Sequence, residues 1–109
     1  MIDENEFRTR SDEALTSLQR ALERASDQHD FEVDRNQGAL TIEFEDPPAK
    51  FVVSPNSPVR QIWVSAHSKS FKLDWNEGRE EFVLAGTGQS LADMVGGAIS
   101  QQLGQEIKL

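Results

Sequence analysis

The chain has no cysteine. Disulfides, thiolate metal ligands and a cysteine nucleophile are therefore excluded, and a reducing compartment is the expected setting. No uninterrupted apolar run approaches the length of a membrane span. The acidic opening MIDENEFRTRSDEAL lacks the apolar core of a signal peptide. A cytoplasmic protein with no membrane partner is expected. Bases are scarce in one half only: residues 1 to 46 hold 13 acids and 5 bases, whereas residues 47 to 109 hold 6 of each, so the net charge of −8 arises from the first half. A surface of that sign repels nucleic-acid phosphates and favours cations and basic protein surfaces. Keeping the protein soluble is the plainer use of the same acids. Catalytic constellations are missing as well. There is no nucleophile elbow and no Gly-rich phosphate loop after a strand, and His29 and His67 stand alone. No enzyme activity is expected.

What is present fits one domain spanning residues 1–109, long enough for a single modest core. From residue 4 to 26, Phe7, Ser11, Ala14, Leu15, Leu18, Leu22 and Ala25 recur at steps of three and four, the stripe of an amphipathic helix. Asp3 is its expected N-cap. The period then falls to two. Phe31 and Val33 alternate with Glu32 and Asp34, and RNQG makes a turn in which Gly38 is free to take positive φ. Leu40, Ile42 and Phe44 form the next strand, DPP at 46 to 48 breaks it, Phe51 and Val53 follow, and SPNSP breaks the chain again. Then come Ile62, Val64 and Ala66; Phe71, Leu73 and Trp75; and, after NEG, Phe82 and Leu84. Connections this short allow only antiparallel neighbours. A second helix has Ser90 and Asp93 as a capping box, a stripe of Leu91, Met94, Val95, Ala98, Ile99, Gln102 and Leu103, and Gly104 as its stop. Gly96 and Gly97 within it either permit close packing or weaken it. The fold class is α+β: a two-layer α/β sandwich, an antiparallel sheet of five or six strands with the N- and C-terminal helices packed on one face.

The opposite face then meets water and displays Glu32, Asp34, Thr41, Glu43, Glu45, Gln61, Trp63, Ser65, Lys72 and Asp74; strict alternation adds His67, which is also expected to cap a loop beside Ser68. An outward indole has two explanations. It lies flat, shielded by a long chain such as Lys72, or it anchors a partner. The short polar groups Gln61, Asn56 and Ser65 nearby, able to bond a partner's backbone, favour an interface. Lys72 and Glu43 on the same face complete the candidate partner-binding set.

The stretches EFRTRSDEALTSLQRALE, GALTIEFED, PVRQIWVSA, FKLDW and SLADMVGGAISQQLG, in that order and spacing, resemble the frataxin family, its bacterial branch most closely. The resemblance covers essentially the whole chain. It implies the sandwich argued above and a role in iron handling and iron–sulfur cluster assembly. It also implies that the acidic ridge and the sheet face around Trp63 and Gln61 contact a cysteine desulfurase and its scaffold protein. Two departures stand out. Ser54, Pro55 and Asn56 replace the family's usual Asn, basic residue and Gln before the tryptophan strand. Gln19, Arg20 and Arg24 interrupt a helix that is commonly acidic, which implies a thinner ridge and weaker iron binding.

Iron, as Fe²⁺ or Fe³⁺, suits clustered carboxylates through summed Coulomb attraction. Asp3 and Glu6 are three apart, and Glu23 and Asp27 four apart, so each pair can face one cation. Asp12 and Glu13 bridge only loosely. Asp30, Glu32 and Asp34 carry the negative surface onto the first strand, Glu43 and Glu45 extend it, and His29 adds one nitrogen. No HExxH, EF-hand loop or paired Glu-x-x-His is present, so shallow, exposed, weak sites are expected. The functional expectation is an iron-binding protein that docks on the desulfurase complex and modulates cluster synthesis. The alternatives are an iron oxidase or store, and an acidic interaction module unrelated to iron. A monomer is expected, with an iron-driven oligomer as the alternative.

Overall fold

A computed structural model describes residues 2–45 and 48–109. The chain runs α1 (Glu4–Ser26), β1 (Glu32–Asn36), β2 (Ala39–Glu45), β3 (Pro48–Asn56), a 3₁₀ turn (Ser57–Val59), β4 (Gln61–Ala66), β5 (Lys69–Asn76), β6 (Glu81–Leu84) and α2 (Leu91–Leu103). The six strands form one antiparallel sheet in the order β1-β2-β3-β4-β5-β6, so each strand pairs with its sequence neighbour.

Helix α1 starts where the sequence places it. The Asp3 carboxylate accepts the Glu6 amide at 2.8 Å, satisfying one of the donors a helix N-terminus leaves free. Its predicted stripe is the buried one: Phe7, Ser11, Leu15, Leu18 and Leu22 face the sheet, and Ala14 and Ala25 are partly buried beside them. Ser90 caps α2 by accepting the Asp93 amide at 3.2 Å, and Gly104 ends it at φ 69°. Against the helices the sheet buries Leu40, Ile42, Phe44, Phe51, Val53, Ile62, Val64, Leu73 and Phe82. Both α1 and α2 contribute to this one core, so among the described residues the other side of the sheet carries no helix.

Four features depart from the expected reading. Strand β3 does not break at Ser54–Asn56; it runs through Pro55, which pairs with Ile62 of β4. On its other side, pairing with β2 stops at Val53, so the missing proline N–H removes no ladder bond there. The interruption is confined to Ser57–Val59. Of the predicted DPP break, Asp46 and Pro47 lie outside the described residues, and Pro48 already opens β3.

His67 is not on the outer face. His67 and Ser68 are the two turn residues between β4 and β5, at φ 53° and 62°, the geometry that matches the twist of a two-residue hairpin. The turn swings the imidazole to the helix side. There its Nε2 lies 3.0 Å from the Ala98 carbonyl oxygen and its ring 5.0 Å from that of Phe51. The β1–β2 turn has the same form, with Gln37 at 54° and Gly38 at 83° as the sequence requires. The last two departures concern packing. Arg35 points to the helix side, and the segment after α2 packs back on it through Ile107, which is buried.

The two helical glycines differ. A Cβ at Gly96 would lie 3.3 Å from the Ile107 carbonyl oxygen, whereas one at Gly97 would meet nothing within 4 Å. Gly97→Ala should therefore stabilise the protein by about 0.5–1 kcal/mol, the ordinary helix-propensity difference. The check is a rise of a few degrees in Tm by calorimetry.

Candidate docking face and acidic ridge

Strand alternation alone puts Trp63 on the helix-free side, but its neighbours decide its posture. Trp63 stands between Ser54 of β3 and Lys72 of β5, and Gln61 between Asn56 and Asp74. The half-buried indole donates its Nε1–H to Gln61 Oε1 at 2.9 Å. Gln61 Nε2 in turn donates to Asp74 Oδ1 at 3.0 Å. The Lys72 ammonium lies 4.9 Å from the indole centroid, within cation–π range. The shielding by Lys72 is thus realised, and the half-buried ring stays on the open side of the sheet.

Of the predicted partner residues, the structure brings Trp63, Gln61, Asn56 and Lys72 into two adjacent cross-strand rows. Ser65 is exposed one row beyond Trp63, between Val52 and Ser70. Glu43 is not part of this group. It pairs with Glu32 and Lys50, two strands and two rows away, roughly 17 Å at ordinary strand spacing.

The acids spread rather than converge. Among the described residues, no three His, Asp or Glu side chains come together as a metal-holding group. Asp3 caps α1. Glu6 and Glu13 lie 3.7 and 3.9 Å from Arg10, which also covers Trp75 at 5.1 Å. Asp12 is paired with Arg35 at 2.8 Å, and the same guanidinium reaches Thr16 at 2.9 Å. Exposed pairs of this kind contribute about 0.2–1 kcal/mol, but each sets a base beside a carboxylate offered as a metal ligand. Glu23, Asp27, Asp30 and Glu32 are exposed near the junction of α1 and β1. Glu32 and Glu43 sit directly opposite each other, a like-charge pair that a cation would relieve. His29 is half-buried in that junction.

Arg35 is a member of this surface that a pattern of acids does not reveal. A signal was available: it shares the parity of Val33 on β1, so alternation alone directs it toward α1, where Asp12 waits.

Residues 1–105 match the family model described as Frataxin-like domain. The chain belongs to the frataxin family. Relatives named iron-sulfur cluster assembly protein CyaY are 32% identical in Cupriavidus metallidurans, over 99% of this chain and 96% of that one, and 31% identical in Ralstonia nicotianae, over 99% and 95%. The solved structure of a frataxin from Psychromonas ingrahamii superposes with a TM-score of 0.82 over 98% of this chain and 97% of that one, at 21% identity, which supports the fold. The α+β sandwich with its six-stranded antiparallel sheet is therefore the frataxin fold. Among the described residues, no helix is long and apolar enough to cross a membrane.

Proposed function

We propose that this frataxin-family chain serves iron–sulfur cluster assembly as a binding protein. It docks on a cysteine desulfurase and its scaffold through the Trp63 face and the acidic α1–β1 edge, carries iron weakly on that edge, and modulates cluster synthesis. The observation that carries the reading is the helix-free sheet face carrying Trp63 framed by Gln61 and Lys72, in a chain whose relatives are named for cluster assembly. A large aromatic on an otherwise polar surface is the usual centre of an interface. The acids of Glu23, Asp27, Asp30 and Glu32 favour a basic partner surface and speed the encounter. Iron enters as cargo, held by scattered carboxylates and water, which suits transfer better than storage.

The test is capture of the chain by the desulfurase, with turnover measured with and without iron. Trp63→Ala is expected to weaken capture by about 2 kcal/mol, roughly 30-fold. Glu23→Lys is expected to slow association, most visibly at low salt. Undiminished capture of a variant carrying both changes would overturn the docking reading. In this reading the chain is no enzyme, and oxygen uptake with Fe²⁺ faster than in buffer would overturn that part.

A further inference from the structure

We infer that Asp74 is a positioning residue of the docking face, acting on Trp63 through Gln61; the inference rests on the docking reading above for its biological meaning. Three side chains are linked in series. The Trp63 indole donates to Gln61 Oε1 at 2.9 Å, and Gln61 Nε2 donates to Asp74 Oδ1 at 3.0 Å. The two ends of this chain are chemically one-way. An indole N–H only donates, and an ionised carboxylate only accepts. The amide between them therefore has one orientation that satisfies both, with its NH₂ toward Asp74 and its oxygen toward the indole. Backbone register supports the arrangement, because Gln61 and Asp74 are direct cross-strand partners, close enough for side chains to bond. The next row repeats the design with different chemistry: Lys72 opposes Trp63 and lies over its ring at 4.9 Å. Strand β5 thus supplies one charge to hold the amide and the other to hold the ring, while β4 supplies the surface that is read.

A consequence for the partner follows. The indole N–H is committed within the sheet, so a partner meets the ring face and edge and the Lys72 ammonium rather than a free donor. The fitting partner surface is apolar at its centre and carries an acceptor or acid beside it.

Asp74→Asn tests the inference with little change of shape, at an exposed position. Asparagine keeps an acceptor oxygen in the same place but lacks the charge, so Gln61 Nε2 is held less strongly and the amide leaves the indole N–H unbonded for a larger share of the time. In the ¹⁵N-labelled full chain, the Trp63 Nε1–H resonance should move upfield and exchange faster with solvent in Asp74→Asn, while the Trp75 resonance stays in place as the internal control. Capture by the desulfurase complex should weaken about fivefold, the effect of one hydrogen bond's orientation. In a Gln61→Ala background, Asp74→Asn should then add nothing. An unmoved Trp63 resonance would overturn the inference, and so would an equal loss of capture with and without Gln61, which would make Asp74 a direct contact. The resonance needs no partner, so the inference stands or falls separately from the docking reading.

Discussion

Phe7→Ala should lower Tm by about 15–25 °C. The side chain is fully buried and meets the Phe82 ring edge-on, with centroids 5.8 Å apart at 86°. Phe82 in turn stands edge-on to Trp75 at 5.2 Å. Phe7 therefore ties the first turns of α1 to β5 and β6 at one edge of the sheet. Truncation removes the ring's transfer energy, leaves a cavity walled by a β-sheet that collapses poorly, and breaks an aromatic pair, about 3–5 kcal/mol together. In a domain of this size each kcal/mol is worth about 5 °C, which gives the stated range. Thermal denaturation followed by circular dichroism is the check. A fall under about 5 °C would mean that α1 is not held by this contact. The docking face lies across the sheet from Phe7, so capture by the desulfurase measured well below Tm should survive, separating loss of stability from loss of the site.

The fold was legible because the helices and the central strands each bury one face. Phe7, Leu15, Leu18 and Leu22 recur at helical steps, and Leu40, Ile42 and Phe44 at strand steps, since burial on one side imposes the period of the backbone on the apolar residues. Periodicity is silent where a residue's environment is set by what lies beside its strand. Pro55 looked like a breaker, yet β2 has no pairing partner left on that side of it. His67 lies in the loop beside Ser68, as expected, but the alternation that puts it on the outer face fails because a turn with two positive φ values resets the count and turns the ring over. Ile107 lies in a segment of no periodicity, and only the groove beside α2 explains its burial.

The site divides the same way. That Trp63 faces outward is a matter of parity and was visible. That its N–H is bonded to Gln61, and Gln61 to Asp74, depends on register between strands, which no single strand encodes. The acids are plain in the sequence, but their number does not reveal that Asp12 faces Arg35 across 2.8 Å or that Glu6 and Glu13 share Arg10.

Gly96→Val should destabilise the protein by about 3 kcal/mol, a fall of roughly 10–20 °C in Tm. Gly96 is buried, and its α-carbon faces the returning segment: a Cβ there would already stand 3.3 Å from the Ile107 carbonyl oxygen and 3.6 Å from Leu109 Cγ. Alanine is accommodated by a shift of a few tenths of an ångström. Valine adds two further carbons, fixed in direction by branching at Cβ, against a backbone atom that cannot rotate aside. The segment must lift. Ser100 currently holds it, with Oγ donating to the Gly96 carbonyl at 2.8 Å and accepting the Ile107 amide at 2.8 Å. Lifting breaks the second bond and exposes Ile107, adding the loss of a buried side chain to that of a hydrogen bond. Hydrogen exchange gives the local signature: the Ile107 amide should lose its protection in Gly96→Val while the amides of β4 and β5 keep theirs at low temperature. An unchanged Tm would show that the segment is not packed against Gly96. The opposite sign expected for Gly97→Ala, one residue away on the open side of the same helix, makes the pair a direct measure of which glycine the packing requires.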